Sequence, residues 1–196
     1  NLSLDNSGCN VATLSVDSPT GAACVSMTNA STLTVTTRAD ITKIAGADIV
    51  AGLTMSGASK AIFNRFMVNG HYINAVNLTE RSTVVVQGTG GASTWTLAGA
   101  TAPSEVALID NSDLHLNNMT LASSGAGSPN LHLRNNSTAK MTTCVVNSAG
   151  ADGILVSNGS RAEMVTVTTA VANTNTLAGV NIQGNSHVTA DTPTMT

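Results

Sequence analysis

The amino-acid sequence predicts an all-β protein, a right-handed parallel β-helix of about eight three-strand coils that forms a single domain over residues 1–196. Three observations lead to this prediction. A serine recurs at intervals of 23 to 30 residues, apolar and polar residues alternate on both sides of it, and turn-forming residues stand immediately before it. The recurring serines are Ser7, Ser31, Ser59, Ser82, Ser112, Ser137, Ser160 and Ser186.

The first two strands of each coil are predicted from the apolar residues that flank the serine. Seven of the serines have apolar residues four and six positions upstream, and all eight have them two and four positions downstream. For Ser112 the upstream pair is Val106 and Leu108, and the downstream pair is Leu114 and Leu116. An alternation with a period of two indicates a strand with one buried face, so these residues are expected to point inward.

A tight corner is predicted between these two strands, because Asn, Asp, Gly or Glu stands two positions before each serine. Asn, Asp and Gly tolerate the backbone angles of turns. The serine itself is expected to point inward and to hydrogen-bond the backbone or the serine of the next repeat. A second corner, as at Asn117-Asn118 and Thr142-Thr143, precedes a third strand. The repeats of Ser31 and Ser82 and the partial last repeat do not follow the pattern there.

The repeats are too thin to bury a core alone, so they are expected to stack. Equivalent strands that pair in parallel give a β-helix with a rise of about 4.8 Å per coil, or roughly 38 Å for eight coils. The crossover rule predicts a right-handed winding. A column of aliphatic side chains fills such an interior, which agrees with an aromatic content of only 2%.

Composition excludes two classes of partner. The chain has 8 Lys and Arg residues and a net charge of −3, so no basic stripe is available to neutralise a nucleic-acid backbone. No apolar run reaches about 18 residues, so no membrane span is expected. The three cysteines match no zinc spacing, and no cofactor is expected. Cys9 and Cys24 either form a disulfide or are, with Cys144, small buried residues.

The coil pattern, for example ILVSNGSRAEM over residues 154–164, resembles the right-handed parallel β-helix (pectate-lyase-like) superfamily. This superfamily includes pectate-lyase-like enzymes, phage tailspikes, and the passenger domains of bacterial autotransporters and filamentous haemagglutinins. The scarcity of aromatic residues and the wealth of Asn, Thr and Ser are most similar to adhesin passenger domains and structural β-solenoids. The resemblance implies an extracellular or cell-surface structural protein, either an adhesin stalk or a self-associating filament subunit, without catalysis.

The enzymes of the superfamily imply an alternative, which is a polysaccharide-binding or polysaccharide-cleaving β-helix. The outward residues after the serines are predicted to form two columns across the coils. The first column contains Asp113, Thr138, Arg161 and His187, and the second contains His115, Lys140, Glu163 and Thr189. His132 and Arg134 are placed just across the corner.

This patch has two interpretations. Asp113, His115, His132 and Arg134 form a glycan-binding or acid–base site, or the patch is a solvated face on which opposite charges stack with little energetic effect. Asp113 and Glu163 are two coils apart, about 10 Å, at the upper edge of the carboxyl separation of an inverting glycosidase. No Ser-His-Asp order or nucleophile elbow stands out in the sequence.

The loop after the third strand varies in length, and its two longest copies span residues 41–52 and 92–105. The second contains Trp95, the only tryptophan. An exposed tryptophan stacks on sugar rings, so Trp95 is a candidate glycan or partner contact. The alternative is a lid that packs over the coil.

The two ends of the predicted β-helix suggest a self-contact. Neither terminus has an amphipathic helix to cover the last strands, and the repeat pattern stops ten residues after Ser186. Natural proteins cover open sheet edges, and identical units that stack end to end propagate into a filament. The expected partners are therefore a continuation of the solenoid or a second copy of the chain, with a glycan as the further candidate.

Overall fold

The computed structural model describes residues 1–17, 23–43, 49–70, 72–97, 105–123, 128–148, 151–171 and 179–195. Within these ranges the regular structure consists of strands alone, and every strand pairing is parallel. The strands are β1 (Leu2–Asp5), β2 (Gly8–Asp17), β3 (Val25–Thr28), β4 (Thr32–Lys43), β5 (Ile49–Met55), β6 (Lys60–Phe63), β7 (Phe66–Gly70), β8 (Tyr72–Leu78), β9 (Thr83–Val86), β10 (Ser93–Leu97), β11 (Glu105–Asp110), β12 (Asp113–Ser123), β13 (Leu131–Arg134), β14 (Thr138–Ser148), β15 (Ile154–Val156), β16 (Arg161–Val171), β17 (Val180–Ile182), β18 (His187–Asp191) and β19 (Thr194–Met195).

The strands form two sheets that are the walls of a solenoid. The first wall has eight strands in the order β1-β3-β5-β8-β11-β13-β15-β17, one before each recurring serine. The second wall has eleven strands and combines the strands that follow the serines with the third strands of the coils. The predicted all-β parallel β-helix is therefore confirmed.

The turn count is smaller than predicted. The solenoid has about six turns rather than about eight. Eight rungs are stacked in the first wall, but β2, β17 and β18, which belong to the first and last rungs, are mostly exposed or half-buried. A rung at the end has a neighbour on one side only, so its inward face is not enclosed.

Both kinds of corner place residues in the left-handed region of backbone angles, which asparagine tolerates and threonine rarely adopts. Asn29, Asn135 and Asn158 lie in the left-handed region, with φ of 53°, 55° and 54°. At the second corner Asn118 and Thr143 do the same, with φ of 55° and 52°. One or two left-handed residues at a corner turn the chain sharply enough for the strand to resume on the next face of the coil.

Most of the recurring serines form a hydrogen-bonded ladder along the solenoid, which is interrupted at Ser82, whose buried hydroxyl has no partner among the described residues. The backbone N–H of Ser31 donates to Oγ of Ser59 at 3.2 Å, that of Ser112 to Oγ of Ser137 at 3.3 Å, and that of Ser137 to Oγ of Ser160 at 3.2 Å. These serines are buried. Each hydroxyl thus satisfies a backbone donor that would otherwise be orphaned at a corner.

Replacing Ser137 with alanine is expected to lower the free energy of unfolding by about 1–3 kcal/mol, because it strands a buried donor. The Ser137 hydroxyl accepts from Ser112 N–H and donates to the carbonyl of Arg134 at 2.6 Å. Urea denaturation measures the loss. Ser186→Ala is the matched control, because the Ser186 hydroxyl makes only a 3.5 Å exposed contact. Equal stabilities of the two variants would contradict the ladder.

Aliphatic side chains fill the interior in columns. Strand registers align the members of one such column from rung to rung. This column contains Leu4, Met27, Met55, Leu78, Ile109, Leu133 and Val156. Its members are buried, so the core is one continuous apolar interior shared by the rungs.

In β11 the inward residues are Ala107 and Ile109, so the predicted inward pair of Val106 and Leu108 is wrong by one position. The corner that follows has a single left-handed residue, Asn111, whereas most other corners have two. A corner shorter by one residue reverses the faces of the strand relative to its serine. Leu108 therefore lies on the outer face, half-buried, and Val106 is buried although its parity is also outward.

The two repeats that lacked the third-strand pattern have insertions at the second corner. After Ser31 the register shifts, and Ala39 and Ile41 occupy the inward positions. After Ser82 several residues separate β9 from β10, whose Trp95 pairs in register with Val68 and Leu121. Insertions of this kind preserve the strand and move only its position in the sequence.

The predicted disulfide between Cys9 and Cys24 is absent, because both residues carry thiols in the structure. Cys9 lies in β2 of the second wall, whereas Cys24 immediately precedes β3 of the first wall and is buried in the core. Proximity in sequence does not bring them together because consecutive strands of a coil belong to different walls. Cys144, which is also a thiol, is buried in β14.

Burial raises the pKa of the Cys144 thiol from 9.0 to about 11, because the core cannot hydrate a thiolate. Between these two values the unfolded thiol ionises and the folded one stays neutral, so stability is lost as the pH rises. The expected loss is about 1.4 kcal/mol per pH unit across this window. Chemical denaturation of wild type and Cys144→Ala tests it: the stability difference between them should shrink from pH 9 to 11, and a constant difference would refute the burial effect.

Candidate functional site

The outer face of the second wall carries the two columns of polar residues predicted from the sequence. In β12, β14, β16 and β18, strand register aligns each column as expected. The first contains Asp113, Thr138, Arg161 and His187, and the second contains His115, Lys140, Glu163 and Thr189. The alignment follows from the corner serines, which set the same starting point for each of these strands.

A groove follows these columns along the solenoid, and we call it the His115 groove. It consists of two adjoining hollows of about 550 Å³ and about 370 Å³, and His115 and Lys140 line both. The first hollow continues to His187 in β18, and the second extends to Val85 in β9. Five rungs at about 4.8 Å spacing give the groove a length of about 19 Å, which suits an extended ligand.

The charges in the His115 groove are partly compensated. Lys140 Nζ lies 3.0 Å from Glu163 Oε1, with both side chains 52% exposed, so this pair adds little stability. Thr138 donates a hydrogen bond to Asp113. In the described ranges no group of three or more His, Cys, Asp and Glu side chains is placed to hold a metal ion. The arrangement offers hydrogen bonds and single charges rather than two opposed carboxyl groups.

His132 and Arg134 lie on the other wall, in β13. The predicted site that joined them to Asp113 and His115 is therefore split between two sheets. The corner between β13 and β14 turns the chain from one wall to the other, so residues a few positions apart in sequence point in different directions.

Arg134 is paired with the carboxylate of Asp110, which also accepts from Asn135. Its Nε and Nη2 donate to Asp110 Oδ2 at 3.0 and 2.9 Å, and Asn135 Nδ2 donates to Asp110 Oδ1 at 2.8 Å. Asp110 belongs to the preceding rung. Arg134 therefore serves first as a link between rungs, although 39% of its side chain remains exposed.

His132 bridges two rungs through both ring nitrogens. Nδ1 lies 2.8 Å from Glu105 Oε1 in β11, and Nε2 lies 3.1 Å from the Ser157 hydroxyl next to β15. The side chains of His132 and Glu105 are 17% and 18% exposed, and Ser157 is 7% exposed. We call these three residues the His132 triad.

Sequence reasoning missed two members of this triad, Glu105 and Ser157. Ser157 stands three positions before Ser160, and Arg134 stands three positions before Ser137. The repeat alignment therefore places Ser157 in the same column as the site residue Arg134. Glu105 fell in the predicted variable loop and is in fact the first residue of β11.

The expectation of an exposed Trp95 is wrong. Trp95 is fully buried at an inward position of β10, with its ring centroid 5.5 Å from that of Phe66. The insertion after Ser82 delays the third strand and brings the tryptophan into the core. It cannot stack on a sugar there. Of the two longest predicted loops, residues 44–48 and 98–104 lie outside the described residues.

Comparison with protein-family models, curated proteins and solved structures finds no match. The resemblance noted from the coil pattern thus extends as far as the parallel β-solenoid fold. Among the described residues, no helix has the length and the apolar character that a membrane span needs.

Proposed function

We propose that this chain is an extracellular structural β-solenoid, a stalk of an adhesin or a self-associating filament subunit. The observation that carries the proposal is the use of charged side chains. Arg134 contacts Asp110, His132 contacts Glu105, and Lys140 contacts Glu163, in each case across neighbouring rungs. These three pairs of ionisable side chains each join one rung to the next along the rod.

The last described rung favours self-association. Val180 and Val188 pack against the core but are only partly buried, and Ile182 is 50% exposed. Covering these side chains with a further rung would remove apolar surface from water, at about 25 cal/mol per Å². A rung of a second copy, or a continuation of the same solenoid, has the matching shape and the backbone groups to pair with.

Sedimentation velocity and electron microscopy over a wide range of protein concentration test the self-association. We expect rods that lengthen as concentration rises, and Ile182→Lys should shorten them by placing a charge on the open rung. The matched control is Ile73→Lys, at a second exposed large apolar residue of the described ranges, which lies on the side of the rod (39% exposed). Monodisperse monomers at every concentration would contradict a filament subunit.

A second candidate function is polysaccharide binding in the His115 groove. Its length and its rows of hydroxyl, imidazole, ammonium and carboxylate groups suit several sugar units. A glycan array with wild-type protein should reveal bound glycans, and Lys140→Ala should weaken the binding. Lys60→Ala, in β6 of the same wall but outside the groove, is the control. A reducing-sugar assay on any bound glycan separates binding from cleavage.

A further inference from the structure

The His132 triad has a defined direction of hydrogen bonding. An ionised carboxylate only accepts, so Glu105 fixes the proton of neutral His132 on Nδ1. Nε2 is then the unprotonated nitrogen, and the Ser157 hydroxyl can donate to it over 3.1 Å. The same hydroxyl lies 3.3 Å from the carbonyl oxygen of Leu133, a weaker alternative acceptor. The triad therefore directs a basic nitrogen at a serine hydroxyl.

We propose that the His132 triad is a serine-esterase site, with Ser157 as the nucleophile and His132 as the general base. Glu105 is a positioning residue that holds the imidazole in the required tautomer. The two contact distances lie within hydrogen-bond reach, as nucleophilic catalysis requires. The three residues come from successive rungs, so the spacing of the first wall sets their separation.

Donors for an oxyanion flank the nucleophile. Ser157 follows Val156, whose register partners are Leu133 and Ile182, so Arg134 and Gln183 occupy the neighbouring rungs beside it. Asp110 fixes the planar Arg134 guanidinium through Nε and Nη2, so Nη1 is the part of this cation that Asp110 does not use. Gln183 is exposed, and its Nε2 donates to Asn181 Oδ1 over a long 3.4 Å, a contact that a developing oxyanion would replace. Donors beside a reacting carbonyl stabilise the tetrahedral intermediate.

The location of the triad defines the substrate class. Ser157 points to the outer side of the first wall but is only 7% exposed, and the His132 and Glu105 side chains beside it are 17% and 18% exposed. A site with so little exposed surface leaves room for a short acyl group only, such as acetyl, carried on a larger alcohol that remains outside. We therefore assign a short-chain carboxylic ester as the substrate, and acetylated carbohydrate is one such ester.

The reaction balances with water as the only co-reactant. Ser157 Oγ forms a bond to the ester carbonyl carbon while its proton passes to His132 Nε2. The bond between that carbon and the alcohol oxygen breaks, and the alcohol leaves with the proton from Nε2. Water then gives a proton to Nε2 while its oxygen bonds to the acyl carbon. The bond between that carbon and Ser157 Oγ breaks, Oγ takes the proton back from Nε2, and the carboxylic acid is released.

Fluorophosphonate labelling followed by peptide mass spectrometry tests the nucleophile directly in the wild-type chain. We expect labelling at Ser157 and none at Ser56, which stands at the same place relative to its corner serine, Ser59, but has Ser26 and Asn77 at the neighbouring positions that correspond to His132. Heat-unfolded protein should not be labelled. No label on Ser157 in the folded wild-type chain would overturn the proposal, whatever the variants do.

Hydrolysis of p-nitrophenyl acetate tests the roles of the three residues. Ser157→Ala and His132→Gln should each lower kcat/KM by at least about 100-fold, and Ser56→Ala should leave it unchanged. Glu105→Gln should lower kcat with KM unaltered, and Glu105→Asp should restore part of the loss, which a merely structural carboxylate would not do. Circular dichroism confirms that each variant is folded. Activity that survives in folded Ser157→Ala would refute the assignment.

This inference is independent of the proposed structural function. A chain that forms rods without labelling at Ser157 would lose the esterase assignment alone. A labelled chain that stays monomeric would lose the filament alone.

Discussion

Replacing Trp95 with alanine is expected to lower the free energy of unfolding by about 3–5 kcal/mol, the range for truncation of a large buried aromatic residue. Trp95 is fully buried and meets Phe66 edge-on at 5.5 Å, and Phe66 stacks on Phe63 at 4.1 Å. The three rings form the aromatic centre of an otherwise aliphatic interior. The substitution leaves a cavity that rigid parallel walls cannot close. Equilibrium denaturation in urea measures the effect.

Trp95→Phe is the matched control and should cost less than half as much. The indole Nε1–H is buried and has no hydrogen-bond partner among the described residues, so phenylalanine keeps a ring while removing an unsatisfied donor. The fluorescence of this single tryptophan should also be blue-shifted in the folded protein and move to the red on unfolding. An alanine variant as stable as the wild type would contradict the buried position.

Replacing Gly70 with alanine is expected to prevent folding or to cost more than about 3 kcal/mol. Gly70 ends β7 with φ of +136°, a conformation that residues with a side chain rarely adopt. A Cβ added there would lie 2.1 Å from the carbonyl oxygen of Lys43, the register partner of Gly70 in β4. Because that atom belongs to the backbone of a paired strand, relief requires the two rungs to separate.

Gly91→Ala is the control that isolates this close approach. Gly91 also has positive φ, +106°, but a Cβ there meets nothing within 4 Å. It should therefore show the conformational cost alone, about 1–3 kcal/mol. Thermal unfolding of both variants gives the comparison. If Gly70→Ala is no less stable than Gly91→Ala, the contact with Lys43 is unimportant.

Much of the fold could be predicted because each rung repeats a short local pattern. Apolar alternation gives the faces of a strand, and Asn, Asp and Gly give the corners, so β12 and β14 were predicted with their inward residues and bends. The serine ladder followed from the same parity. These signals are local, and stacking merely repeats them.

Corner length was harder to predict. The alternation of apolar and polar residues shows which residues of one strand share a face, but it does not show how that face is related to the next strand across a corner. The one-residue corner at Asn111 moved the inward pair to Ala107 and Ile109. The insertion after Ser82 moved Trp95 from a presumed loop into the core. Both differences arise in the corner at Asn111 and in the insertion after Ser82, where the residues do not alternate between apolar and polar.

The two candidate sites also differ in how far they could be predicted from the sequence. The columns of the His115 groove could be predicted, because strand register alone aligns His115 with Lys140. The His132 triad could not, because its contacts run diagonally between rungs and depend on where each side chain points. A sequence pattern shows that His132 lies outward but not which neighbours its ring nitrogens meet.

Parallel pairing between rungs has a consequence for how such a molecule changes size. Neighbouring rungs meet through the same two walls, and corner serines join most of them. Removing or duplicating one interior repeat therefore reconnects surfaces that already fit each other. The length of such a solenoid can therefore change in steps of about 4.8 Å, by gain or loss of whole repeats, and no new type of contact between rungs is needed.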